Sequence, residues 1–280
     1  MQEQNVSTPF KVEKPKPPVK WAGGKAQLIP QFEPLLPKEE YNFYIEPFVG
    51  GGAVFFHLIP QQAVLIDSNE ELINFYLVVR DNLEELLSDL RKHRNTEEYY
   101  YYIRALEPKT LSPVERASRF LYLNKTAYNG LWRVNSRGEF NVPYGKYKNP
   151  RIIDEPNLWR VSHALKNAQI ICGDFSLVLE FAQAGTFVYL DPPYHPLSET
   201  ANFTSYTSDA FGTEDQKRLA EVFRELDRRG CLVMLSNSDT EFIRRLYSEY
   251  EIQVVYARRS INCKPDGRGP VTELVIRNYS

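Results

Sequence analysis

The sequence predicts an α/β fold: a mostly parallel sheet, covered by helices on both faces and interrupted by an inserted lobe. Three observations predict it. Runs such as Ala63-Val64-Leu65-Ile66 and Thr186-Phe187-Val188-Tyr189-Leu190 are apolar at successive positions, as strands buried on both faces require. In the second half of the chain such runs alternate with helical segments, the signature of parallel strands joined by crossovers. The glycine turn after Glu46, together with Asp67, Asp174 and Asp191, falls just past strand ends, where ligands of such sheets sit.

Taken in order, residues 1–19 are rich in Lys, Pro and Gln and read as a disordered tail. Lys20-Trp21-Ala22-Gly23-Gly24-Lys25 is too short and irregular for an element of its own; its Trp could cover a ligand face and its Lys could pair with a carboxylate. Tyr41 to Glu46 reads as a strand, Pro47-Phe48-Val49-Gly50-Gly51-Gly52 as a turn, Ala53 to Leu58 as a helix, and Ala63 to Ile66, ending in Asp67, as a second strand. Glycines in that turn let a ligand approach the backbone, and an acid at Asp67 can accept from ribose hydroxyls. Helices follow at Leu83–Leu90, Tyr99–Leu106 and Val114–Asn124. Tyr99-Tyr100-Tyr101-Tyr102 cannot all share one helix face, so this run is divided between core and surface. Leu131 to Pro143 resembles a hairpin turning at Ser136-Arg137-Gly138. Strands 169–172, 186–190 and 231–235 then alternate with helices 175–182, 213–228 and 239–247, before strands near 251–257 and 272–277. Residues 20–80 and 151–280 thus form one split domain around an insert at 81–150.

Asp191-Pro192-Pro193-Tyr194 carries the sharpest chemistry. The two prolines remove backbone donors and hold the preceding carbonyls extended. What remains is a carboxylate, a free carbonyl and an aromatic plate, a set that suits a planar amino group. An exocyclic aromatic amine is a poor nucleophile because its lone pair is delocalised. Accepting its hydrogens turns that pair outward and stabilises the positive charge that develops during attack. The competing reading is a strand, a Pro-Pro turn and a surface tyrosine.

Lys20 to Lys25, Glu46 to Gly52 and Asp191 to Tyr194, in that order, resemble the DNA adenine-N6 methyltransferases of the Dam type (D12 class). Tyr128-Asn129-Gly130-Leu131, Arg137 to Gly145 and Thr200 to Thr204 also match, and the likeness runs from about Lys20 to the end of the chain. It implies a Rossmann-like S-adenosylmethionine-dependent methyltransferase sheet with an inserted helical plus β-hairpin target-recognition domain. It implies that one strand of the last pair is reversed. It further implies that Trp21 and Lys25 contact the methionine part of S-adenosylmethionine, that Phe48, Gly50 and Gly52 line it, and that Asp67 holds its ribose. Asp174 and Phe175 would meet its adenine, Asp191 would face both cofactor and target amine, Pro192 would supply the carbonyl, and Tyr194 would stack on a flipped base. Gly51 departs from close relatives, which often carry alanine there.

A net charge of −2 gives no overall sign of nucleic-acid binding, but two clusters are basic. One comprises Arg133, Arg137, Lys146, Lys148 and Arg151 against Glu139, the other Arg258, Arg259, Lys264 and Arg268 against Asp266. Arginine is the usual bidentate partner of guanine, and apolar groups meet the thymine methyl. Arg133 is therefore the candidate guanine reader, and Leu131 and Pro143 the candidates for thymine. Tyr128 and Asn129 would fill the gap left by an extruded adenine, while Arg137, Lys146 and Lys148 would contact phosphates. The resemblance implies double-stranded DNA as partner and 5′-GATC-3′ as target.

Cys172, Cys231 and Cys263 show no metal spacing and read as reduced thiols; no metal is expected. His195 lies beside the tetrapeptide, but methyl transfer needs no imidazole. No apolar stretch reaches membrane-spanning length and no signal peptide is recognised, so a cytoplasmic protein is expected. A monomer is compatible with the sequence. Two alternatives stay open at this point: an enzyme that modifies cytosine N4 or an RNA adenine, and a non-catalytic DNA-binding regulator of the same fold.

Overall fold

The computed structural model describes residues 13–196, 211–257 and 271–280. Thr200 to Thr204, the second basic cluster and Cys263 lie outside the described residues. Seven strands form one sheet: β1 (Phe43–Glu46), β2 (Ala63–Asp67), β3 (Ala168–Cys172), β4 (Thr186–Leu190), β5 (Leu232–Ser238), β6 (Glu251–Ala257) and β7 (Val271–Arg277), in the order β3-β2-β1-β4-β5-β7-β6. All neighbours from β3 to β5 pair in parallel, and β7 runs antiparallel to both β5 and β6. The expected reversal thus falls on the last strand. Strand order changes direction between β1 and β4, and a crevice at the carboxyl ends of those two strands follows.

The strands are apolar on both faces because both are covered. On one face Tyr44, Leu65, Phe187 and Tyr189 join the core of Phe55, Phe75 and Tyr76; on the other Ile45, Val64, Val188 and Leu190 pack with Leu219, Phe223 and Ile243. Each such side chain, fully buried, contributes roughly 1.5–3 kcal/mol. The helices are α1 (Ile29–Phe32), α2 (Ala53–Leu58), α3 (Glu70–Asp81), α4 (Leu83–Leu90), α5 (Glu97–Ala105), α6 (Pro113–Thr126), α7 (Glu155–Leu165), α8 (Val178–Phe181), α9 (Thr213–Arg228) and α10 (Glu241–Leu246). Three of them, the short α1 and the longer α3 and α7, have no counterpart in the sequence analysis. Strand β5 extends three residues beyond the predicted end at Leu235, and those residues hold part of the site.

Helix α6 joins two cores. Its Ala117, Phe120 and Leu121 belong to the main one, into which Leu83, Leu86, Leu87 and Leu90 of α4 also pack. Its Tyr122 and Leu123 belong to a smaller cluster with Tyr100, Ile103, Phe140 and Val142. Ser112 and Glu115 close a reciprocal cap at its start. The tyrosine run on α5 divides as expected: Tyr100 is fully buried and donates to the Val142 carbonyl at 2.8 Å, whereas Tyr102 is 62% exposed. The hairpin forms with isolated bridges rather than full strands, Val134 opposite Phe140 and Ala127 opposite Tyr144. Its turn is closed by Gly138 N donating to the Asn135 carbonyl at 2.9 Å, and the Asn135 side chain accepts from the Arg137 and Glu139 amides.

Candidate active site

A cavity of about 750 Å³ opens at the carboxyl ends of β1, β2 and β4, within the size range of small-molecule sites. Trp21, Lys25, Phe48, Gly50, Gly52, Asp67, Asp174, Phe175, Asp191, Pro192 and Tyr194 all line it, although they come from five separate stretches of sequence.

Its floor is the glycine turn. Gly50 (φ 45°) and Gly52 (φ 70°) occupy the left-handed region. A Cβ on Gly50 would lie 2.7 Å from Trp21 Cδ1, and one on Gly52 would lie 2.7 Å from Phe56 Cε2. The turn is fastened from below: Gly50 N donates to Asp67 Oδ2 at 3.0 Å, and Tyr76 Oη donates to the Gly50 carbonyl at 2.7 Å. Asp67 Oδ1 accepts from Asn69 N at 2.9 Å, so each oxygen holds backbone and keeps a further lone pair. The Lys20–Lys25 loop is fixed from the side. Asn124, wholly buried on α6, accepts from Lys20 N at 2.8 Å and donates to Lys20 O at 2.7 Å.

Lys25 is 4% exposed and pairs with Asp191 Oδ1 at 2.9 Å. Among the described residues no well-aligned hydrogen bond ends on that oxygen, so the contact is foremost an ion pair. Lys25 Nζ also donates to the Gly23 carbonyl and lies 4.7 Å from the Tyr194 ring centroid. Burial pushes the Asp191 carboxyl up to about 6, the Lys25 charge opposes this, and Glu273 adds to it. The Pro193 carbonyl accepts from Gln216 Nε2 at 2.9 Å. Among the described residues no hydrogen bond ends on the Pro192 carbonyl, so of the two cavity-lining prolines it is Pro192 whose carbonyl stays free to accept. His195 stacks on Phe242 and its backbone is held by Asn237 and Ser238, in agreement with a structural role.

At the far wall Phe48 stacks on Phe175 with centroids 5.3 Å apart, and Arg218 covers Phe175 at 4.2 Å. Arg218 also holds both oxygens of Asp174, at 2.8 and 2.9 Å. This bidentate grip was not foreseen, because α9 and the end of β3 meet only in the fold.

In the sequence Glu46 ends a strand and opens the Glu46–Gly52 motif, with no role of its own. It is buried, lines the cavity, and accepts from Tyr44 Oη at 2.8 Å. Burial raises its pKa to about 8; the Tyr44 hydroxyl opposes the shift and nearby Asp191 and Asp67 add to it. The fold therefore favours the protonated acid. That contribution is complete below the ordinary value near 4.5 and is lost as pH rises through about 8. Thermal melts are expected to shift downward across that interval, and Glu46→Gln should flatten the dependence. An unchanged slope in the variant would refute this assignment.

The residues read as DNA contacts sit on the small lobe and are separate from the cavity. Tyr128 and Leu131 are 53% and 41% exposed, and Pro143, Arg137, Lys146 and Lys148 are exposed as well. Asn129 takes φ 54° in the turn beside Tyr128. Arg133 Nε donates to Asn141 Oδ1 across the hairpin at 2.7 Å, a hydrogen bond rather than a salt bridge. Among the described residues no cluster of three or more His, Cys, Asp or Glu side chains could hold a metal, and no helix is long and apolar enough to cross a membrane.

Residues 21–261 match the family model of the D12 class N6 adenine-specific DNA methyltransferases. The chain is 47% identical over 272 residues to the Type II methyltransferase M1.LlaDCHI of Lactococcus lactis subsp. cremoris, covering 94% of this chain and 95% of that one. It is 48% identical over 286 residues to the Type II methyltransferase M.MjaIII of Methanocaldococcus jannaschii, covering 94% and 99%. It is 40% identical over 261 residues to the DNA adenine methylase of Escherichia coli K12, covering 92% and 93%. With a family match across most of its length and relatives of this identity, the chain belongs to the D12 class of N6 adenine-specific DNA methyltransferases.

Proposed function

We propose that this adenine-specific enzyme binds double-stranded DNA in the cytoplasm, extrudes the adenine of 5′-GATC-3′ from the stack, and methylates its N6 with S-adenosylmethionine as donor. The observation that carries the reading is one cavity in which the acceptors Asp191 and Pro192 O and the plate of Tyr194 stand beside a glycine cradle.

The cradle suits the cofactor: side chains are excluded at Gly50 and Gly52, Trp21 offers a ring to a cation, and Asp67 stands at the end of β2. Trp21 and Lys25 would hold its methionine part, Phe48 and the glycines its body, Asp67 its ribose, and Asp174 with Phe175 its adenine. When bound, it supplies an electrophilic methyl group carried on a sulfonium.

The chain's own residues do the rest. Tyr194 stacks on the extruded base, whose unstacking takes a few kcal/mol that pocket contacts offset. Asp191 and the Pro192 carbonyl accept the two N6 hydrogens, turning the lone pair away from the ring and stabilising the charge that builds on nitrogen. The spare proton leaves to water. Orientation can account for roughly 7–11 kcal/mol of the barrier, so no strong base is required. The ionised Asp191 carboxylate is the stronger acceptor and the better stabiliser of positive charge on nitrogen, so turnover is expected to fall as pH drops through about 6.

Residues 81–150 act as the target-recognition domain. Arg133 reads guanine, Leu131 and Pro143 meet thymine, Tyr128 and Asn129 occupy the vacated stack, and Arg137, Lys146 and Lys148 neutralise phosphates. Arg133→Ala should reduce discrimination at the guanine by about 1–3 kcal/mol. Lys148→Ala should weaken binding evenly across sequences and lower the salt slope by about one. Binding isotherms on cognate and substituted duplexes at several salt concentrations separate these two outcomes; an even loss in the arginine variant would make it a phosphate contact.

The test of the whole reading is expression in a methylation-free host with base-resolved mapping of modified sites. N6-methyladenine confined to another sequence would overturn the target. Modified cytosine, modified RNA or no modification would overturn the activity.

A further inference from the structure

The hydroxyl of Tyr194 does not project into water: it donates to Glu273 Oε2 at 2.6 Å, the length of a charge-assisted bond. Glu273 stands near the start of β7, opposite Ser238 of β5. Because β7 runs against its neighbours, its beginning lies at the rim where the parallel strands end. The reversed strand thus delivers a carboxylate to the cavity edge from a stretch that carries no motif.

We propose that Glu273 is a positioning residue for methyl transfer, fixing the plane of the Tyr194 ring and through it the orientation of the base stacked there. The proposal deepens the reading of Tyr194 as the base platform and rests on it. The chain on either side of the ring is already pinned. Gln216 holds the Pro193 carbonyl, Asn237 accepts from His195 N at 3.2 Å, and Ser238 Oγ donates to His195 O at 2.6 Å. Gln216 and Asn237 are themselves linked at 2.9 Å and wholly buried. With the backbone held, the ring keeps only its own two torsions; a bond at its far end fixes the first, and because a phenol O–H favours the ring plane it biases the second. A tilt of the plate displaces the target nitrogen, and displacements near 1 Å reduce rates by roughly a hundredfold.

Glu273 also acts on Asp191 through space. The charged or titratable groups around Asp191 are Lys25, Glu46, Tyr189, Tyr194 and Glu273, and the negative charge of Glu273 raises the Asp191 pKa. Hydrogen bonding and charge can therefore be separated by substitution.

The experiment uses the full-length chain with a cognate duplex and one carrying 2-aminopurine at the target adenine. Glu273→Ala and Tyr194→Phe should each slow single-turnover transfer by about ten- to a hundredfold. Both should alter 2-aminopurine fluorescence and leave DNA affinity near wild type. The double variant should lose no more than either single one. Glu273→Gln, which keeps an acceptor, should recover most of the turnover and move the acid limb of the rate profile to lower pH. Should Glu273→Ala fail to fold, Tyr194→Phe, one atom smaller, carries the test alone. Additive losses, or wild-type rates and fluorescence in Tyr194→Phe, would overturn the proposal. A wild-type protein that methylates no DNA defeats the functional reading instead, whereas an active wild type with indifferent variants defeats only the role of Glu273.

Discussion

Replacing Asp191 with alanine is expected to lower methyl transfer by at least 10²–10³-fold, the loss seen when a group aimed at developing charge is removed. The carboxylate lies at the end of β4, in the middle of the sheet, with Lys25 against one oxygen and the cavity beside it. On the proposed reading alanine removes one of the two acceptors for the amine, and the Pro193 carbonyl, taken by Gln216, does not replace it. DNA affinity should hold if the proposed phosphate contacts of Arg137, Lys146 and Lys148, which lie away from the cavity, dominate it. The variant also leaves Lys25 without its ion-pair partner, so some stability is lost, and Asp191→Asn provides the better-packed companion. Single-turnover transfer of labelled methyl, set against a gel-shift isotherm, decides the matter. Turnover near wild type in Asp191→Ala would remove Asp191 from the role of amine acceptor, whereas Asp191→Asn, which keeps an acceptor oxygen, reports on the charge alone.

The second large effect is expected at the glycine turn, where neighbouring residues should behave oppositely. Gly50→Ala forces a side chain into the left-handed region, at about 1–2 kcal/mol, and drives its Cβ to 2.7 Å from Trp21 Cδ1. The indole must shift, and with it the wall it forms. A stability loss of about 1–3 kcal/mol is expected, with cofactor binding too weak to detect by calorimetry. Gly51→Ala should be tolerated. Gly51 is not left-handed, and the nearest atom to its added Cβ, Trp21 Cβ, lies at 3.5 Å, an ordinary contact. Reduced flexibility of the unfolded chain can even add about 0.4–1 kcal/mol there. Equal behaviour of the two variants would contradict this geometry.

Much of this was legible in the sequence wherever a local signal coincided with a strand end. Val64, Val188 and their neighbours announce doubly covered strands by continuous apolarity, and Asp67 and Asp191 mark where those strands stop. The residues that hold the site from behind were not legible. Arg218 reaches Asp174, Gln216 reaches Pro193, and Glu273 reaches Tyr194 across sequence distances that no periodicity encodes. Glu46 is a different case: its position ahead of the glycine turn was visible, but its burial was not. Helices α3 and α7 did carry signals, since Asn69 caps α3 ahead of Glu70 and Glu71, and Pro156 sits in the first turn of α7.

The pairing of β1 with β4 sets the timing of assembly on the ribosome. Phe43 lies against Thr186, so the crevice between these strands closes only after the whole intervening lobe has been translated. Until then the nascent first strands present unpaired apolar edges and no cleft. A stalled or truncated chain ending before β4 therefore exposes sticky surface without gaining activity, and the cell meets it as a client for chaperones rather than as a partial enzyme.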